Sequence, residues 1–417
     1  MQIFNRQINF NFFSFIFILM PLALLTGPAI PDIILSLIAL YFLIKTIQLK
    51  LFYFYEPYII KILIVFSAYL IFSSLISSNP MYSLFEYGVI FYFRYFFYIL
   101  GIVYLFENNK NLINIFGKLS LLLTIFVIFD TYFQFVFGKN IFGFESGYSG
   151  RLSSFFKDEL VIGIFLSSFC PIVIGLVLKM YKLNLNNRYI ILFILISFVS
   201  IILSGERAAT LHYIIFIFII ITLSKTISFL RLLIIFVSII SIFISSIFLS
   251  ENLNNRYKET LSDFKETEFS LPFTVVHEGH LKSGFKMFVE KPIFGQGPKM
   301  FKKLCNKKNF YNEYSCSSHP HNFYLQLLAE TGLVGVLFLI SLFIYILKYL
   351  IKNLIFKINK QIEKIDSDFK IVLMASLFSM IWPLAPTFDF FNNWYSAILF
   401  TNLALILFFF NKISFKK

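Results

Sequence analysis

The 417-residue chain is 58% hydrophobic and 14% charged, against roughly 45–50% apolar and 25% charged for a soluble domain. Runs of about 18 or more apolar residues recur along its length, which is the transmembrane signature and excludes a soluble globular enzyme. The formal net charge of +14 does not point to nucleic acid, because most of the excess sits in short loops between apolar runs, where Lys and Arg orient a membrane protein.

Cut at charges and at Pro and Gly, these runs predict an all-α polytopic membrane protein of about twelve spans: roughly 10–27, 29–47, 58–77, 86–106, 112–137, 159–178, 189–204, 210–224, 230–249, 330–351, 370–386 and 393–411. The first is expected to be retained, since no small-residue cleavage site precedes Pro28 and a second apolar run follows at once. The seventh and eighth are short and close enough to form a hairpin or a tilted pair. The organisation is therefore nine spans over 1–249, a large polar loop over 250–329, and three spans over 330–417.

Charge predicts the orientation. Lys45, Lys50 and Lys61, then Lys110 and Lys118, then Lys179, Lys182 and Arg188, then the lysines from Lys348 to Lys364 and the tail Lys412, Lys416 and Lys417 fall on one side; the short loops at 26–31, 78–85 and 387–392 carry no Lys or Arg. The positive-inside rule puts the first set, and both termini, in the cytoplasm. The charged segments left outside are 138–158, the turn at Glu206-Arg207 and the large loop. Chemistry is expected there, away from nucleotide cosubstrates.

Within the large loop, 251–268 is expected to extend the ninth span as a polar helix. A short amphipathic helix over 280–288 has Leu281, Phe285 and Phe288 on its apolar face. Lys291-Pro292-Ile293-Phe294-Gly295-Gln296-Gly297-Pro298 reads as a tight turn. Cys305 and Cys316 flank a Lys- and Tyr-rich loop; a disulfide is expected if that loop is extracytoplasmic, two free thiols otherwise. Cys170 reads as an apolar filler in a span.

His319-Pro320-His321-Asn322 precedes a helical pattern with Gly332 and Gly335, which are expected to allow close helix packing. A neutral imidazole at a membrane surface can accept a proton from a hydroxyl, and His321 is the first candidate for that role. His277 and His280 with Glu278 have no third ligand at a usual spacing, and Gly279 is expected to break the helix there, so no metal is expected. Arg94 and Asp130 lie inside spans; intramembrane charges are functional by default, and the structural alternative for Arg94 is an inward-facing pair with a carboxylate, Asp130 being one candidate, that holds two helices together. Glu330 is read as an interfacial or helix-capping residue, and Asp389 as an interfacial residue, with an acceptor contact as its alternative.

Four segments together resemble the O-antigen ligase and polymerase superfamily: His321-Asn322 followed by Gly332 and Gly335; Ser204-Gly205-Glu206-Arg207 between two mid-chain spans; Gly150-Arg151-Leu152-Ser153-Ser154-Phe155-Phe156; and the Pro292–Pro298 turn. The resemblance covers roughly 140–345 by motif and the whole chain by span count. It implies a metal-independent membrane glycosyltransferase without cofactor, at the periplasmic face of the bacterial inner membrane. The donor would be a glycan on undecaprenyl diphosphate. The acceptor would be lipid A–core for a ligase, or a second carrier-linked repeat unit for a polymerase, with ligase slightly ahead. His321 would be the base on the acceptor hydroxyl, with Asn322 and His319 positioning. Arg207 and Arg151 would hold the diphosphate, since Arg suits bidentate phosphate contacts. Ligases of this family often place an Arg ahead of the amphipathic helix in the large loop. Here that place reads His277-Glu278-Gly279-His280-Leu281-Lys282, so His280 or Lys282 stands in, or Arg256 reaches back. The rival from another class is a lipid-linked glycan transporter, which would put polar residues near the midplane in repeated or broken helices; this chain has its polar cluster in an outer loop and no inverted repeat.

Overall fold

The computed structural model describes residues 11–86, 88–145, 147, 151–227, 229–266 and 274–410; Gly150 and the tail lysines Lys412, Lys416 and Lys417 lie outside them. The described chain is all helical in its regular structure: α1 (Phe12–Ile18), α2 (Met20–Ala23), α3 (Ala29–Leu49), α4 (Tyr58–Leu75), α5 (Arg94–Asn108), α6 (Asn111–Phe137), α7 (Ile162–Met180), α8 (Arg188–Leu203), α9 (Arg207–Leu223), α10 (Phe229–Leu249), α11 (Glu251–Glu266), α12 (Val275–Glu290), α13 (Phe301–Leu304), α14 (Phe323–Ile358), α15 (Asp368–Met380) and α16 (Asn393–Phe410). Apolar helices occupy all twelve expected positions. Among the described residues, seven are long and apolar enough to cross a membrane, or eight if the bent pair at the α10–α11 junction counts as one. The others fall short for local reasons. The first run is interrupted between α1 and α2. The helices α8 and α9 have 16 and 17 residues. Helix α15 stops at Met380, ahead of Pro383 and Pro386, which cannot donate to a helical ladder.

Helix α7 is the centre of the bundle, with 16 of its 19 residues buried. Close approach depends on small residues: a Cβ on Gly101 of α5 would lie 2.7 Å from the Ile38 side chain of α3. Arg94 and Asp130 do not pair. Arg94 Nη2 meets Asp32 of α3 at 2.7 Å. Asp130 accepts the Ile141 N–H at 2.8 Å and the Ser154 hydroxyl, pinning the loop after α6 across that helix's end. Two polar layers close the bundle. At one end Asp368 accepts the Leu185 N–H at 2.8 Å and Lys357 Nζ reaches the Thr222 and Ser224 carbonyls at 2.7 and 2.6 Å. The large loop and the 138–161, 204–206 and 381–392 connections gather at the other.

The large loop and the helix that follows it differ from expectation in four ways. Helix α11 does not prolong α10 but leaves it at 102°. Gly279 does not break α12, which is capped by Thr274 and runs to Glu290. Phe285 of the predicted apolar face of α12 is turned outward, 56% exposed; the buried residues are Glu278, Gly279, His280, Ser283, Gly284 and Met287, so small and polar residues with one methionine carry the contact. Gly332 breaks α14 (φ 66°, ψ −167°) instead of packing a continuous helix.

The Pro292–Pro298 turn occupies that break. Gln296 N–H donates to the Ala329 carbonyl at 2.9 Å and Gly297 N–H to Glu330 at 2.8 Å, while Leu333 N–H donates back to Pro292 at 2.8 Å. Backbone groups freed by the broken helix are thus satisfied by the turn. A Cβ at Gly332 would collide with the Ile293 carbonyl, and one at Gly295 with the Glu330–Thr331 peptide; both residues have positive φ. Ser73 and Ser83 of the 58–86 region hold the turn from behind through the Phe294 and Pro298 carbonyls. Cys305 and Cys316 form a disulfide, and Asn312, inside the loop it closes, donates to the Gly279 carbonyl at 2.9 Å.

Candidate functional site

Four of the five histidines meet at the loop-bearing end of the bundle. The His321 ring centre lies 4.1 Å from that of His319, 5.3 Å from His277 and 5.4 Å from His280. The α12 spacing explains half of this: His277 and His280 share a helical face. Gly284, one turn on, lets that face sit against Pro320 and Leu325. The other half comes from His321 itself, which adopts a left-handed conformation (φ 54°) immediately before α14. Its Nε2 lies 3.1 Å from the Ser317 hydroxyl.

Burial, and then the neighbouring His319, His277 and His280 rings, hold the His321 imidazole well below its usual range. His277 is pushed down to about 4 by burial, then by His280, Arg207 and His319. The cluster is therefore neutral at physiological pH and able to accept a proton. Among the described residues, no three of His, Cys, Asp and Glu converge as metal ligands.

The second feature is the turn between α8 and α9. Gly205 (φ 73°) reverses the chain, and the Glu206 carboxylate points inward to cap α7, accepting the Gly163 and Ile164 N–H groups at 2.7 and 3.2 Å. Burial raises the Glu206 carboxyl to about 7, opposed by Arg151 and those N–H groups. Arg151 comes in from the loop after α6, where Gln134 Oε1 fixes the Ser153 and Ser154 N–H groups at 3.0 and 2.7 Å. Its Nη2 donates to the Leu160 carbonyl at 3.1 Å, and its buried Nε has no hydrogen-bond partner among the described residues. Arg256 of α11 donates from Nε to the Gly205 carbonyl at 3.2 Å. Burial lowers the Arg151 pKa; Glu206 raises it, and Arg256 and Arg207 lower it further. Three guanidinium groups thus gather at one turn. The charge of Arg207 is one cause, after burial and His280, of the lowered His277 pKa, so the turn lies at the same end of the bundle as the imidazole cluster.

The other sequence candidates fall as follows. Lys282 pairs with Glu278 at 2.8 Å. His280 lies against His321, and its buried Nδ1 has no partner among the described residues. His319 Nδ1 is 2.8 Å from the Ser318 hydroxyl and its Nε2 is 3.4 Å from the Thr387 carbonyl. Asn322 is a helix cap: its Oδ1 accepts the Leu325 N–H at 3.1 Å and its Nδ2 donates to the Pro383 carbonyl at 2.8 Å. Glu330 and Asp389 are not interfacial. Glu330 is 1% exposed and accepts the Phe301 N–H at 3.0 Å. Asp389 is buried against Lys299 and accepts from Gln326 Nε2 at 2.7 Å. Neither Gln326, Lys299 nor Thr387 stood out in the sequence. The one available signal was a lone carboxylate in an otherwise uncharged loop, which requires a cation when buried.

An apolar cavity of about 700 Å³ opens beside the 142–161 loop, lined by Phe126, Phe142, Phe155, Phe388 and Trp394 among others. Its walls are mostly apolar, with Lys157, Glu159 and Asn392 among the lining residues, and neither His321 nor Arg207 lines it. One of its lining residues, Phe388, reaches the imidazole cluster, its ring lying 6.4 Å from that of His319.

Compared with known families, residues 192–340 match the family model described as O-antigen ligase. The matched region contains Arg207, Arg256 and all four clustered histidines; Arg151 and the 381–392 connection lie outside it. No curated protein matches the chain.

Proposed function

Starting from the O-antigen ligase domain at residues 192–340 in a polytopic all-α membrane protein, we propose that the chain moves a glycan from an undecaprenyl diphosphate carrier to an acceptor hydroxyl. The first reading is a ligase that uses lipid A–core as acceptor. The observation that carries the proposal is the joining of a neutral imidazole cluster to a three-arginine turn at one end of the bundle. In the inner membrane, with both termini cytoplasmic, that end faces the periplasm, as the lysine distribution requires.

His321 accepts the proton of the acceptor hydroxyl as the acceptor oxygen bonds to the anomeric carbon. The bond from that carbon to the diphosphate breaks, and the diphosphate leaves with the electron pair. Arg207, Arg151 and Arg256 receive the developing charge. Arg256 takes the second-cation role in preference to Lys282, which is paired with Glu278, and to His280, which lies against the base. The donor is already activated, so the reaction needs neither nucleotide nor metal. An anion docked at Arg207 offsets its positive field on His277.

The test is a deletion strain complemented with His321→Ala or Arg207→Ala and a gel of its surface glycans. Loss of all attachment, with polymer accumulating on the carrier, supports the ligase. A single repeat unit still attached, without a ladder, supports polymerisation instead. Native glycans from either variant would falsify the assignment, and a reporter fusion placing residue 300 in the cytoplasm would remove its topology.

A further inference from the structure

The connection between α15 and α16 carries no lysine or arginine and lies outside the matched O-antigen ligase region, yet it holds the imidazole cluster in place. One residue does most of this. Thr387 N–H donates to the His321 carbonyl at 2.8 Å, its Oγ1 accepts the Phe323 N–H at 2.8 Å, and its carbonyl faces His319 Nε2 at 3.4 Å. Three polar groups of one buried residue thus bind residues 319, 321 and 323.

From this geometry we propose that Thr387 is the positioning residue of the His321 base, fixing its left-handed backbone and its relation to His319. The proposal rests on the transferase reading above. A non-glycine residue with φ near +54° carries some backbone strain, and Thr387 contacts the chain at His321 and on both sides of it. Phe323 is the first residue of α14, whose N–H has no partner inside the helix. Asn322 satisfies the Leu325 N–H and Thr387 satisfies Phe323, so the helix start that carries His321 is completed by a different segment of the chain. The connection is itself anchored: Asp389 is paired with Lys299 of the large loop, and Gln326 of α14 bonds Asp389 through Nε2 and the Phe390 N–H through Oε1, at 2.7 and 2.9 Å. Thr387 touches no reacting atom; it acts through the backbone of His321.

The test compares Thr387→Val, which keeps the shape and removes the Oγ1 acceptor, with Thr387→Ser, which keeps the acceptor. Full-length protein in nanodiscs is assayed with undecaprenyl-diphosphate-linked glycan and lipid A–core extracted from the host strain. Thr387→Val is expected to lower kcat by roughly 10–100-fold with donor KM unchanged, and Thr387→Ser to restore most of it. Where Thr387→Val lowers the melting temperature, the Thr387→Ser and Thr387→Ala pair, read at matched folded fraction, makes the same comparison. Native kcat in Thr387→Val, or equal loss in the Ser and Val variants, overturns the proposal. His321→Ala run alongside separates the two failures: transfer that survives it removes the base, and Thr387's role with it, whereas transfer lost in His321→Ala but native in Thr387→Val removes the positioning role alone.

Discussion

Two glycine-marked regions at the loop-bearing end of the bundle look alike in sequence and do opposite things. At the joint between the Pro292–Pro298 turn and the Gly332 break, backbone donors and acceptors are matched across the interface and glycines admit the contact. At the Gly205 turn and the imidazole cluster, Arg151 Nε and His280 Nδ1 are buried without hydrogen-bond partners among the described residues. The joint satisfies its own backbone groups, whereas the turn and the cluster keep polar side-chain atoms that the proposed reaction assigns to substrate.

Substitutions sharpen this contrast. The largest effect is expected at the cluster: removing the base in His321→Ala should cost roughly 10²–10⁴-fold in transfer while melting temperature and membrane level stay native. The joint should behave in the reverse way. Gly332→Ala, at φ 66° with a carbonyl in the path of its Cβ, should cost about 3 kcal/mol or more of stability, seen as loss of the monodisperse peak in detergent chromatography. If Gly332→Ala kept its stability and lost only turnover, the division between joint and site would fail.

Smaller effects probe how the loop carries the cluster. Opening the Cys305–Cys316 bridge with paired Ser substitutions should cost about 2–4 kcal/mol, confined to 275–322 in hydrogen exchange and absent from the bundle. The mildest is pH. His277 is neutral in the fold with a pKa of about 4, below its value near 6.5 in the unfolded chain. The unfolded state therefore binds the proton more tightly. The stability contribution is full above about 6.5 and is lost as pH falls from there toward 4. Melting temperature should drop over that interval and drop less in His277→Gln; identical pH profiles would remove His277 from the buried cluster.

Much of the architecture was legible because it depends on local composition. Long apolar runs must be helical in a bilayer, where every backbone group needs an internal partner, so the segments from 29–47 to 393–411 appeared where expected. Their lengths were less legible, since Pro383 and Pro386 act on α15 through local hydrogen bonding. The histidines and Arg207 were legible because a polar residue stands out in an apolar chain. Asp130, Glu330 and Asp389 also stood out, but their partners are remote in sequence: Ile141 and Ser154, Phe301, and Lys299 with Gln326. A charge announces that it needs a partner without saying which.

The sequence by itself determined an all-α membrane protein, the polar loop that bears the histidines, and the resemblance that the O-antigen ligase match over 192–340 supports. Only the tertiary structure decided that Gly332 is a break filled by the Pro292–Pro298 turn, that Arg151 and Arg256 come together at the Gly205 turn, and that Thr387 bonds the His321 carbonyl. Helix formation and membrane partition are set by neighbouring residues and can be read locally. The site is built from contacts between segments remote from one another in sequence, and those exist only once the helices have packed.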